Sequence, residues 1–223
     1  MLRLLFVCTC LCLVGCAALQ TAQPTASEMD HTLHAAFESY AAHADEYHGD
    51  VVLPPRFVQD FTLPATFAPQ GSLSDLDGYW RMIFFGYLHC PDFCPLTLVD
   101  FKLTHEQLGE TAEQVRFIYI TVDETRDSPD ALRRYLANFH PDFVGFVGDP
   151  QTLARIQPDY GFYYAIRLDD DPQALLTVEH SARSYLIDPY GRLHASFAYH
   201  THPSVMAEAI RWHIAQEGSD TCQ

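Results

Sequence analysis

Positive charge is scarce in this 223-residue chain: 13 Lys and Arg stand against 29 Asp and Glu, a formal charge of −16 with histidine neutral. Such a surface repels a phosphate backbone, which argues against a nucleic-acid partner, and it repels anionic lipid headgroups in the same way. No apolar run reaches the ~20 residues that a bilayer-spanning helix needs. Cysteine is missing from most of the body of the chain. Cys8, Cys10, Cys12 and Cys16 crowd the start, Cys90 and Cys94 form a close pair, and Cys222 stands alone. That distribution excludes a disulfide-stapled miniprotein, so the fold must hold through a core. There is no internal repeat. What is present is apolar: 48% hydrophobic and 13% aromatic residues, with 19% charged, can bury such a core. The length allows one compact domain with an appendage and rules out two large domains.

Met1 to Val14 carries one positive charge, Arg3, and then an almost unbroken apolar run, followed by the small residues Gly15, Cys16, Ala17 and Ala18. This is the pattern of a cleaved signal peptide rather than an anchor helix. Leu13-Val14-Gly15-Cys16 resembles a bacterial lipobox, in which the cysteine becomes the first mature residue and is diacylated through its sulfur. The resemblance implies a signal peptide over 1–15, lipidation at Cys16, and a chain held on a membrane by acyl chains at the extracytoplasmic, periplasmic face of a bacterial envelope. Residues 16–50 are poor in large apolar side chains and read as a flexible tether with a short helix over Ser27 to Tyr47. His31, His34, His43 and His48 mix there with Glu38, Asp45, Glu46 and Asp50. The histidines lack the i, i+4 pairing of a defined metal site, so a solvated spacer is the expectation.

Residues 51–217 have the punctuation of a folded domain, and 218–223 form a polar tail. Phe57 to Phe61 reads as a short strand or hairpin arm, and Gly71 and Gly78 bracket a polar turn. Arg81 to Tyr87 is a continuous apolar run too short for a helix, the pattern of a strand buried on both faces in mid-sheet. Leu96 to Leu108 has helical spacing and closes at Gly109. A second buried strand covers Val115 to Val122; Ser128 and Pro129 then cap and open a helix to Phe139. Phe143 to Val147 is a third strand, and Asp149-Pro150 opens a helix toward Tyr160. Ala182 to Ile187 and Leu193 to Phe197 pair antiparallel around Asp188-Pro189-Tyr190-Gly191, and Pro203 starts a last helix to about Gln216. The alternation predicts an α/β fold with a mixed central sheet flanked by helices.

Cys90 and Cys94 fall just past the carboxyl end of a central strand and at the entry to a helix, where open α/β sheets place ligand sites. The helix terminus should favour thiolates, making both sulfurs better nucleophiles and better metal ligands. With three residues between them they can converge on one ion or close a disulfide. Structural zinc would want four protein ligands, and no second cysteine pair exists to help. Cu(I) is satisfied by thiolates, and an added imidazole would let the same site hold Cu(II). Spacing does not choose among His89, His105, His140, His180, His194, His200, His202 and His213.

A family resemblance does choose. Phe85-Gly86-Tyr87-Leu88-His89-Cys90-Pro91-Asp92-Phe93-Cys94-Pro95 closely resembles the metal-binding signature of Sco/SenC proteins, and Thr121 to Pro129 resembles the segment that follows it. Asn138-Phe139-His140-Pro141, Val178-Glu179-His180-Ser181 and Tyr185 to Gly191 fall in the family's order, so the likeness runs from about Phe57 to Trp212. Several separated motifs in agreement are far more specific than any one. The resemblance implies a thioredoxin-like fold and copper held by Cys90, Cys94 and His180, with Asp123 close behind the ligands. It also implies a role in delivering copper to the copper-receiving subunit of a cytochrome oxidase. A thiol-disulfide reductase using Cys90 and Cys94 is the alternative on the same fold, and it has no need of His180. Leu88 departs from the family, which commonly has Thr or another small residue there, and the family is often anchored by a transmembrane helix rather than by lipid.

Overall fold

The computed structural model describes residues 47–167 and 177–220. Apart from Tyr47 itself, the expected short helix over Ser27 to Tyr47 lies outside the described residues, as do the lipobox and Cys222. Among the described residues ten strands and four α-helices follow in chain order: β1 (Asp50–Phe57), β2 (Thr62–Leu63), β3 (Gly71–Ser72), β4 (Trp80–Gly86), α1 (Phe93–Leu108), β5 (Val115–Thr121), α2 (Pro129–Leu136), β6 (Val144–Val147), α3 (Pro150–Tyr160), β7 (Tyr164–Arg167), β8 (Thr177–His180), β9 (Ser184–Ile187), β10 (Arg192–Phe197) and α4 (Pro203–Asp220).

Six strands form one mixed sheet in the order β1-β10-β9-β4-β5-β6. Every residue of β4 is buried, as its unbroken apolar run predicts. It pairs parallel with β5 from Trp80↔Val115 to Gly86↔Thr121 and antiparallel with β9. Successive side chains of a strand point to opposite faces, and the ring contacts show which layer covers each. Phe84 meets Phe101 of α1 with ring centroids 6.5 Å apart, whereas Phe85 meets Tyr160 of α3 at 5.2 Å. Helices α1, α2 and α4 therefore share one face, since α4 packs along α1 and Tyr135 of α2 meets Tyr119, the partner of Phe84 in β5. Helix α3 covers the other.

Several boundaries differ from the sequence reading. Helix α1 starts at Phe93 rather than Leu96, which puts Cys94 inside its first turn. Helix α2 stops at Leu136 instead of Phe139, because the next amides fold into turns on Leu136 and Tyr135. Helix α4 runs through Gly218 into the segment read as a tail. No strand covers Phe57 to Phe61, contrary to the sequence reading: β1 ends at Phe57 and β2 begins at Thr62, and β1 itself was disguised by Pro54 and Pro55. Proline is tolerated on an edge strand, and the pairing of β1 with β10 shifts register across those residues. The two-stranded β7–β8 sheet went unforeseen, since four-residue strands apart from the main sheet leave little periodicity to detect.

His48, which its polar neighbours place in a spacer, is buried. It stacks on Trp212 with centroids 4.3 Å apart, and its carbonyl accepts a 2.9 Å hydrogen bond from His213 Nε2. Burial, then the nearby His194 and His48, push the His213 pKa down to about 3. A folded pKa below the ordinary histidine value means that the unfolded chain binds the extra proton. Stability is therefore complete above about pH 6.5 and declines as pH falls toward 3, by up to roughly 1.4 kcal/mol per pH unit. We expect His213→Gln, which keeps a donor for the His48 carbonyl, to flatten that decline in chemical unfolding measured from pH 7 to 4; an unchanged slope would assign the acid sensitivity elsewhere.

Candidate metal and dithiol site

Strand β4 delivers the chain to the site. At Gly86 the strand ends without a side chain for a steric reason: a Cβ there would lie 2.5 Å from the Tyr119 hydroxyl and 2.9 Å from Cys94 Sγ. Past it, the Tyr87 carbonyl accepts the Cys90 amide at 3.3 Å, and helix α1 begins with no side-chain cap from Asp92. Cys90 supplies one instead, its sulfur accepting the Cys94 amide at 3.4 Å. An orphan amide of the first turn is thus spent on a sulfur, the arrangement that favours negative charge on Cys90.

The two cysteines are not equivalent. Cys90 retains 8% of its surface while Cys94 retains none. Burial, reinforced by the neighbouring Cys90, drives the Cys94 pKa upward, against weaker help from the Tyr87 backbone and the Tyr119 hydroxyl. The sequence expectation that the helix terminus lowers both pKa values is therefore corrected for Cys94, where desolvation outweighs the amides. A buried thiolate here calls for a cation, and two sulfurs about one helical turn apart suit a soft one. Phe93, exposed between the cysteines, meets the edge of Tyr199 at 4.9 Å and forms one rim of the site.

The loop after β5 makes the other wall. Asp123 is buried, but its carboxylate is turned to the Thr125 hydroxyl at 2.7 Å and to the Arg126 guanidinium. The acid that reaches the cysteine loop is Asp127. Its Oδ2 accepts the Leu88 amide at 3.0 Å and the Thr121 hydroxyl, and its Oδ1 stands 3.5 Å from His89 Nδ1. Asp127 was missed by sequence reasoning, although its place just before the Ser128 helix cap confines it to a turn beside the strand end. His180 closes β8, paired with Tyr164 of β7; its side chain lies outside what the structure describes. Of the other histidines, His105 and His140 lie tilted against each other with ring centroids 4.1 Å apart, and His213 is enclosed against His48.

A second cluster, Asp188, His194 and Glu217, brings its ligand-type atoms within 4.8 Å of one another. A cation of the chain is already there: Arg192 Nε lies 2.5 Å from Asp188 Oδ2, and its guanidinium also meets Glu217. Against the cost of burial, hydrogen bonds from His194 and Arg192 hold the Asp188 pKa at about 2. This network joins the β9–β10 turn to α4 and belongs to the fold.

A mixed sheet whose central strand ends in a dithiol at the start of a helix defines a thioredoxin-like protein, and the solved structures that resemble the chain share that architecture. The model of the SCO1/SenC family matches residues 50–215, and the chain belongs to that family. An SCO2-like protein of Rickettsia conorii is 36% identical over 139 residues, covering 61% of this chain and 66% of that protein. A mitochondrial SCO2 homologue of Bos taurus is 31% identical over 144 residues, 64% of this chain but 54% of its own length. The chain thus spans between about half and two thirds of these curated relatives. Among structures, copper-bound ScoI of Bradyrhizobium japonicum aligns with a TM-score of 0.62 and 32% identity over 70% of this chain and 99% of that one. Copper-bound yeast Sco1 gives 0.65 and 27% over 72% and 90%. Among the described residues no helix is long and apolar enough to cross a membrane.

Proposed function

We propose that this chain binds copper through Cys90, Cys94 and His180 and delivers it to the copper-receiving subunit of a cytochrome oxidase during assembly of a respiratory copper centre. The observation that carries the reading is the pair of adjacent, buried cysteines at the head of α1. Their charge needs a cation, and copper-bound relatives share the fold at 27–32% identity. The donor set suits copper: the thiolates satisfy Cu(I), an imidazole adds the nitrogen that Cu(II) prefers, and loading displaces the thiol protons. Asp127 ties the second loop to the cysteine loop, and Asp123 orders that second loop from within. Cys90, the more exposed sulfur, is the natural point of exchange with an acceptor thiolate.

The test is a Cu(I) competition titration of the reduced protein, followed by metal analysis. One copper per chain, bound in preference to zinc, is expected; a reduced protein that takes up no copper would overturn the reading.

The inequality of the two thiols also favours a second reading, reduction of a partner disulfide. The Cys90 thiolate would attack one partner sulfur and release the other as a thiolate, which takes a proton from water. Cys94 would then surrender its proton and its electron pair to the mixed bond, freeing the reduced partner and leaving a Cys90–Cys94 disulfide.

We place the chain at the extracytoplasmic face, diacylated on Cys16 after removal of residues 1–15, with the segment ahead of Tyr47 as tether and the residues from Tyr47 to Asp220 as the copper-binding domain. Cells fed labelled fatty acid are expected to incorporate it into the full chain and to lose all of that label in Cys16→Ala. Equal labelling of the variant would refute the lipid anchor.

A further inference from the structure

The proposed ligand set of Cys90, Cys94 and His180 passes over His89, which precedes the more exposed of the two cysteines in the chain. Its surroundings single it out. Asp127 is buried, and its Oδ2 is pinned by the Leu88 amide and the Thr121 hydroxyl. That leaves Oδ1 enclosed, with no hydrogen bond among the described residues. Burying a carboxylate oxygen without a partner is costly, so this one calls for a donor. The group placed before it is His89 Nδ1, 3.5 Å away, where a shift of about half an ångström completes a hydrogen bond. The side chain of His89 is nevertheless 55% exposed. With Nδ1 turned in to the acid, Nε2 belongs to the part of the ring turned away from it.

We propose that His89 is a transient ligand in copper transfer, its outward Nε2 taking up the ion as it enters or leaves through Cys90, with Asp127 as the positioning residue that holds the ring. The inference deepens the copper reading and rests on it. A histidine that binds metal through one nitrogen commonly gives the other to a carboxylate, which fixes the direction of the ring. Asp127 stands in that relation to His89, and its own place is fixed by donors from two different segments. Cys90 retains 8% of its surface, so an ion passing between its sulfur and an acceptor thiolate loses one bond before the next is complete. An imidazole at the preceding position of the chain offers a bond in between. The Cu(I)–Nε2 bond forms as a copper–sulfur bond breaks, and it breaks in turn as the acceptor sulfur binds; the ion keeps its oxidation state throughout. Such a ligand lowers the barrier in both directions, so it changes rates and leaves the equilibrium alone.

His89→Gln separates this role from a structural contact, because the glutamine amide can still donate to Asp127 but offers no ligating nitrogen. The full chain, wild type and variant, would be loaded with Cu(I) and mixed with a chromophoric Cu(I) chelator. Loading and transfer would be followed by stopped flow, and the equilibrium affinity by competition. We expect both rates to fall by about tenfold, with affinity within about twofold of wild type because Cys90, Cys94 and His180 are untouched. Asp127→Asn should slow transfer in the same sense, and adding it to His89→Gln should cost little further rate. A fully additive loss in the double variant would show that Asp127 acts on the loop and not through His89, and would overturn its positioning role. Wild-type rates in His89→Gln would overturn the proposal, and so would a tenfold loss of affinity, which marks a permanent ligand. A wild-type chain that takes up no copper would refute the copper function itself and the proposal with it.

Discussion

Replacing Cys90 and Cys94 together by serine is expected to lower Cu(I) affinity by on the order of a thousandfold. Each lost thiolate removes a charged bond worth at least the ~2 kcal/mol of a charge-assisted hydrogen bond, and about 1.4 kcal/mol is a factor of ten. The fold should survive, because the sulfur that caps α1 is replaced by a hydroxyl, a better acceptor for the Cys94 amide. Competition with a chromophoric Cu(I) chelator, alongside circular dichroism, reads both outcomes. Near-stoichiometric copper on the folded double variant would move the site away from the helix terminus and toward His31, His34 and His43.

His180→Ala is expected to separate the two functional readings. It leaves both sulfurs, the head of α1 and the Asp127 contacts in place, so the dithiol should exchange with small disulfides as in wild type. Cu(II) binding should be lost with its nitrogen ligand. Cu(I) affinity should fall by between about ten- and a hundredfold, the cost that loss of even a supporting group imposes on metal sites. In a strain lacking the chain and complemented with the variant, oxidase activity should be low and recover in part with added copper. Normal oxidase activity together with lost Cu(II) binding would instead favour the reductase reading.

The alternation of buried runs and capped segments determined most of the architecture by itself. Strand β4 was legible because seven consecutive buried residues leave few alternatives, and α2 and α3 because a Ser or Asp cap followed by proline marks a helix start whatever surrounds it. The cysteine pair was legible for a similar reason, since the residues that make it a site lie within five positions of one another. Strand β1 was hidden by its prolines, and β7 and β8 by their brevity.

What the sequence did not carry depends on which strand faces and loops meet. That Asp127 rather than Asp123 grips the Leu88 amide follows from how the β5 loop turns back on the β4 loop across the parallel pair. Likewise His48 and His213 are core residues only because the start of β1 lies under α4. That Tyr119 shares a face with Cys94 is a matter of register: shifting β5 by one residue would turn the hydroxyl to the α3 side. Composition, periodicity and capping act within a few residues of chain and so are written locally. The burial that raises the Cys94 pKa, the Asp127 contact to Leu88 and the approach of Tyr119 to Gly86 join segments more than twenty residues apart, and only the packed tertiary structure brings those together.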